Sequence, residues 1–219
     1  VQKVSNHNIN LSIFNKENAA TTVASTISIA SKFQIRFFAT GGIGGVHLNA
    51  ENTNDVSADL YALSENSNFV ICSGAKSILD LSKTNELLET LGITRIGYQT
   101  NYMPGFWYEE TENKVDNKFD EIHEISSFLK LNENIENKKS ILIFNKVPLE
   151  KALNKNDVEK WINNATIKAD RNNISGKELT PFLIKEINEQ SKNETLNANV
   201  SLIINNANLA GKIAKSFYN

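Results

Sequence analysis

The chain has 219 residues, with 23 basic and 25 acidic side chains and a formal net charge of -2 at pH 7. That balance gives no cationic excess for neutralising a nucleic-acid backbone, no apolar run is long enough for a membrane span, and the single Cys72 excludes an internal disulfide framework and fits a reducing compartment. Hydrophobic residues make up 40%, enough for the core of one domain of above-average size or of two small ones.

In chain order, apolar and small residues recur at helical spacing from Ala19 to Lys32, after Asn15 and Asn18 as caps. A strand-length run at 35–40 (IRFFAT) ends in the glycine-rich loop GGIGGVH, Gly41 to His47. Asp55 to Leu63 reads as a short helix, and 68–75 (NFVICSGA) as a second strand. Ser77 and Asp80 have capping-box spacing for a helix running to about Leu91, where Gly92 ends it. A third strand falls at 93–100 (ITRIGYQT), residues 101–117 read as irregular, and 119–131 as amphipathic. A fourth strand, 139–148, ends at Pro148. Three helices follow: Lys155 to Arg171, Pro181 to Gln190 with Thr180 as cap, and Asn197 to Phe217. Strands separated by helices predict a three-layer α/β/α domain, here expected around a central mixed sheet. Ligands in such folds collect at the carboxyl ends of the strands, where the glycine loop and Lys76 both fall.

Three pieces carry chemistry. The loop with Gly41, Gly42, Gly44 and Gly45 lets backbone N–H groups converge on an anion, although its spacing is neither a dinucleotide fingerprint nor a P-loop; a tight loop without ligand is the plain alternative. Asp55 and Asp59, four apart, would share a helix face, where a carboxylate can hold a divalent cation or simply meet solvent. Lys76 ends an apolar run with little polar cover; partial burial would lower its pKa and free its amine for imine chemistry, whereas a snorkelling lysine would only pack its stem. Three scattered histidines, His47 among them, do not make a zinc cluster.

The ordered set of motifs is more specific than any one of them. Thr40 to His47 (TGGIGGVH), Ser57 to Leu60 (SADL) and Gly74 to Asp80 (GAKSILD) resemble the pseudouridine-5′-phosphate glycosidases, which are indigoidine synthase A-like. So do Lys3 to Ser5 (KVS), Ala20 to Thr26 (ATTVAST), Gly176 to Ile187 (GKELTPFLIKEI) and Asn197 to Ala214 (NANVSLIINNANLAGKIA), so the resemblance spans residues 1–219. It implies an intracellular enzyme, cytoplasmic unless a targeting segment is missing, and usually a homotrimer with bound Mn2+. Its reaction is reversible cleavage of the C–C glycosidic bond of pseudouridine 5′-phosphate to uracil and ribose 5-phosphate. By the resemblance, Lys76 is the covalent nucleophile, Lys3 binds on the phosphate side, Asp59 holds the metal largely through water, and Asn199 is the site asparagine. Thr22, Thr40 and His47 line or adjoin the sugar-phosphate pocket, with the loop glycines on the phosphate.

The departures matter too. The chain starts at Val1 and its only methionine is Met103, which points to a processed product or a fragment. Family members carry a further N-terminal segment with an acid/base glutamate and an ESTI-type motif, and neither Glu17 nor Glu51 matches it. Unless a separate N-terminal segment is supplied by another chain, the site would lack proton transfer, an effect of roughly 10²–10⁴-fold. Leu48 and Asn49 replace the usual Arg-Gly after the loop histidine, Asn54 replaces a hydrophobic residue, and Asn145 to Pro148 (NKVP) replaces an NPIP-like segment. The altered residues after His47 leave open a related sugar-phosphate or nucleoside-phosphate enzyme with another base, and the absent glutamate leaves open an inactive binding or scaffold remnant.

Overall fold

A computed structural model describes residues 1–135 and 138–219. The chain opens with β1 (Gln2–Val4), α1 (Ile9–Phe14) and β2 (Ala19–Thr21), and β1 and β2 pair in parallel with Lys3 opposite Ala20. The helix expected from Ala19 is therefore shorter: α2 spans Val23–Lys32, because Ala19 to Thr21 are taken by the β1 ladder. Its cap is Thr22, not Asn15 or Asn18, in a reciprocal box with Ser25.

β3 (Phe37–Ala39) leads through the glycine loop to α3 (Ala50–Thr53) and α4 (Ala58–Glu65), the latter capped by Ser57. β4 (Phe69–Cys72) leads to α5 (Leu81–Thr90). Asp80 alone caps α5, accepting from Lys83 N at 2.9 Å. Ser77 is no part of that cap, since its hydroxyl donates to Gly105 O at 2.6 Å. β5 (Thr94–Tyr98), β6 (Asn117–Phe119), α6 (Ile122–Asn134), β7 (Ile141–Phe144), α7 (Lys155–Arg171), α8 (Leu179–Gln190) and α9 (Glu194–Tyr218) complete the order. α8 starts before Thr180, with Glu178 at the cap position and Pro181 still inside the first turn.

The main sheet has the order β3-β4-β7-β5-β6, and every described pairing in it is parallel. The three-layer expectation holds, but the sheet is parallel where a mixed one was expected. A parallel neighbour needs a crossover, and helical or long irregular segments separate all the paired strands. Side-chain alternation then sorts the core. Val70, Cys72, Leu142 and Phe144 point to one face with Ile27, Leu60, Leu63, Leu88 and Val158, from α2, α4, α5 and α7. Phe69, Ile71, Ile141 and Ile143 point to the other, beneath Ile125 and Leu129 of α6 and Leu209, Ile213 and Phe217 of α9. The front half of α9 instead packs Ala198 and Leu202 into the first face. That helix so reaches the carboxyl ends of β3, β4 and β7.

Candidate active site

Two segments leave the carboxyl ends of β3 and β4 side by side: Thr40 to His47, and Ser73 to Asp80. Backbone bonds join them beyond the strands, from Ser73 N to Gly41 O (2.8 Å), Ile43 N to Gly74 O (3.1 Å), Lys76 N to Ile43 O (3.1 Å) and Asp80 N to Val46 O (2.9 Å). Lys76 is thereby fixed by its backbone against the glycine loop. Gly74 makes the turn at φ +83°, and a Cβ there would collide with the Pro104 carbonyl oxygen. Gly44 is required differently: its Cβ would press on Ser57 and stand 2.8 Å from Asp59 Oδ2. The loop is less open than a phosphate cradle. The amides of Ile43, Gly44, Val46 and His47 donate to Gly74 O, Asp59 Oδ2, Thr84 Oγ1 and Asp55 O.

The side chains gather around Lys76. Burial pushes its ammonium below the ordinary lysine range; Asp59 pulls it partly back and Lys3 pushes it further down. The residue is half-buried, and its ammonium makes no hydrogen bond or ion pair with a described residue. His47 is also held below its usual value, by burial first, with Asp55 opposing and Lys76 and Lys3 adding to the shift. Lys3, His47 and Lys76 are therefore near enough to act on one another electrostatically, with Asp55 and Asp59 opposing them.

The two aspartates divide. Asp59 is 5% exposed, with Oδ1 accepting from Ala24 N at 2.8 Å and Oδ2 from Gly44 N at 2.7 Å. It ties the start of α2 to the glycine loop, each oxygen accepting one backbone N–H. Asp55 lies outside α4, its carboxylate 39% exposed and 3.9 Å from His47 Nδ1. Among the described residues no three His, Cys, Asp or Glu side chains gather as a metal cage. Cys72 is buried, its thiol pushed up to about 12, and has no nucleophilic part.

The other predicted residues are held by hydrogen bonds of their own. Thr22 donates through its hydroxyl to Ser5 Oγ at 3.2 Å, and its N–H to Val4 O at 2.9 Å. Thr40 offers its carbonyl to Asn206 Nδ2 at 2.8 Å. Asn199 accepts from Trp107 Nε1 at 2.7 Å. Asn206 and Trp107 were not singled out from sequence. Asn206 is fully buried and also bonds Ser73 Oγ (3.0 Å) and Asn145 Nδ2 (3.0 Å), so one side chain of α9 ties the ends of β3, β4 and β7. The only signal for it was its place inside the late asparagine-rich motif. A cavity of about 460 Å³ opens beside the lysine segment, lined by Leu48, Ser77, Asp80, Tyr108 and Lys155 among others; Lys76, Lys3 and His47 do not line it.

A sequence profile of the family described as "Indigoidine synthase A like protein" matches residues 1–216. The chain belongs to the indigoidine synthase A-like family. It is 46% identical over 200 residues to a pseudouridine-5′-phosphate glycosidase of Petrotoga mobilis, covering 91% of this chain and 65% of that protein. The corresponding protein of Kosmotoga olearia is 44% identical, over 98% of this chain and 73% of its own length. Among solved structures, the prealnumycin C-glycosynthase AlnA in complex with ribulose 5-phosphate superposes with a TM-score of 0.93 at 31% identity, over 99% of this chain and 72% of that one. An indigoidine synthase A-like protein of Thermotoga maritima gives 0.90 at 34%, over 98% and 70%. The chain thus spans roughly two thirds of the length of these family members.

Proposed function

We propose that this chain carries the lysine-centred site of a pseudouridine-5′-phosphate glycosidase. The observation that carries the reading is Lys76 itself: an amine depressed by burial, without an ion-pair partner, held on the family motif beside Lys3 and His47. In the proposed reaction the free amine of Lys76 attacks C1′ and the ring bond to O4′ breaks, with O4′ taking a proton. The nitrogen lone pair then forms the imine as the bond from C1′ to uracil C5 breaks. C5 keeps that electron pair and takes a proton, and water hydrolyses the imine to ribose 5-phosphate and free lysine.

Lys3 and the uncommitted loop amides are proposed to hold the phosphate and so set C1′ against the amine. The acid/base group is proposed to come from the part of the family's length outside this chain. A divalent cation belongs to the same proposal, with Asp59, whose oxygens each accept one backbone N–H, and the more exposed Asp55 as the carboxylates available to hold it through its waters. Bound Mn2+ would supply charge stabilisation and an oriented water. The homotrimer and the cytoplasmic location rest on family membership; no described helix is long and apolar enough to cross a membrane.

The test is release of uracil from pseudouridine 5′-phosphate by the full-length protein. Lys76→Ala should abolish it, and undiminished release would refute the reading. The likeness to a C-glycosynthase, with Leu48 and Asn49 after the loop histidine, favours as second reading the same lysine chemistry with a different base. A panel of base acceptors with ribose 5-phosphate separates the two.

A further inference from the structure

Trp107 is 2% exposed and its backbone is fixed beside the lysine segment. Its N–H reaches Ser77 Oγ at 3.4 Å, and its carbonyl accepts from Leu153 N at 2.8 Å. Phe106 packs against its ring at 5.4 Å between centroids, and the Phe106 ring in turn lies against Gly42 of the loop. So held, the indole N–H meets Asn199 Oδ1 at 2.7 Å.

The polarity of that bond has a chemical consequence. An indole nitrogen only donates, so its partner has to be the amide oxygen of Asn199. The usual ambiguity between the two ends of an asparagine amide is removed by the partner. Asn199 Nδ2 then faces away from Trp107, and neither of its hydrogens goes to a described residue. Asn199 is half-buried on the front half of α9, whose neighbours Leu202 and Ile203 touch Gly41 of the loop. Its free end is a donor and nothing else.

We propose that Trp107 is a positioning residue that fixes Asn199 as a donor, so that the site accepts a base through a ring carbonyl oxygen and rejects one that presents an amino group there. This rests on the proposed function. It also narrows the family expectation for the site asparagine, because the acceptor half of the amide is already spent inside the protein.

The test runs the reaction towards synthesis in the full-length protein, with ribose 5-phosphate and uracil, cytosine or isocytosine. The two amino bases replace one ring oxygen each, so whichever oxygen Asn199 meets is covered. The native protein should prefer uracil over the matching amino base by about 100-fold. Trp107→Phe keeps the packing, loses the donor and lets the amide turn over. Its kcat/KM for uracil should fall about tenfold, and its discrimination by about the same factor. Borohydride trapping of ribose 5-phosphate on Lys76, which involves no base, should change by less than about twofold. Asn199→Asp still accepts from Trp107 but offers an oxygen to the base, and it should reverse the preference; this variant decides the matter if Trp107→Phe folds poorly. Unchanged discrimination in Trp107→Phe, or a retained uracil preference in Asn199→Asp, overturns the proposal. Absence of any trapped adduct in the native protein refutes the function reading and this inference with it.

Discussion

Asp59→Asn tests the carboxylate as a tie between two stretches of backbone. In the native protein the Asp59 oxygens accept from Ala24 N at 2.8 Å and Gly44 N at 2.7 Å, in a place only 5% exposed. Asparagine keeps the volume and one acceptor. One amide retains a neutral bond, and the other is left facing an NH2 group. A hydrogen bond to a charged group contributes about 1.5–3 kcal/mol, and a buried donor left unpaired costs about 1–3 kcal/mol, so the variant should lose about 2–4 kcal/mol. For a chain of this size that is a fall in Tm of about 5–15 °C. Thermal unfolding followed by circular dichroism measures it, with Asp55→Asn as the control. That carboxylate is 39% exposed, and its loss should cost less than about 1 kcal/mol. The same substitution removes the charge that holds the Lys76 pKa up, so the pH at which the amine becomes reactive should move lower. If Asp59→Asn and Asp55→Asn both melt within about 2 °C of the native protein, the tethering argument is wrong.

Three further outcomes follow from the geometry. Gly74→Ala sets a Cβ at φ +83° against the Pro104 carbonyl, so it should lose more than about 2 kcal/mol in urea unfolding; a loss below about 0.5 kcal/mol would contradict the close approach. Asn206→Leu leaves Thr40 O and Asn145 Nδ2 without their partner and should cost about 2–4 kcal/mol, while a neutral result would remove Asn206 as the tie between α9 and the strand ends. Lys76→Met should stabilise the protein at pH 7. Between the depressed lysine pKa and its ordinary value of about 10.5, the unfolded chain holds a proton that the native lysine has released, so native stability rises with pH across that window. The advantage of methionine should therefore shrink as pH approaches 10.5, and a Lys76→Met variant less stable than the native protein at pH 7 would refute the burial argument.

Long periodic elements could be read from the sequence. α7 runs from Lys155 to Arg171 as its spacing predicts, and the apolar runs at β3, β4, β5 and β7 are strands. The short elements could not. β1 and β6 have three residues each, too few to show a period, and β1 exists only because Ala19 to Thr21 lie beside it. Those same small residues read equally well as the start of α2. At the site, the motifs located Lys76 but not what holds it. Trp107 meets Asn199 across 92 positions, and Asn206 meets Thr40 across 166. No local pattern reports a bond of that span. The motif located Asp59, whereas the two backbone bonds its oxygens accept show only in three dimensions. Gly41 to Gly45 read as a cradle for an anion, yet much of the glycine requirement comes from Phe106, Ser57, Asp59 and Thr84 packing against the loop.

The central claim is that Lys76 is the nucleophile, and the most direct measurement is where ribose 5-phosphate attaches. The full-length protein is incubated with ribose 5-phosphate, reduced with borohydride, digested and read by tandem mass spectrometry. The account predicts a reduced sugar-phosphate adduct on the peptide containing Lys76, absent from Lys76→Arg. An adduct of equal yield on another lysine, or one that survives in Lys76→Arg, would contradict it.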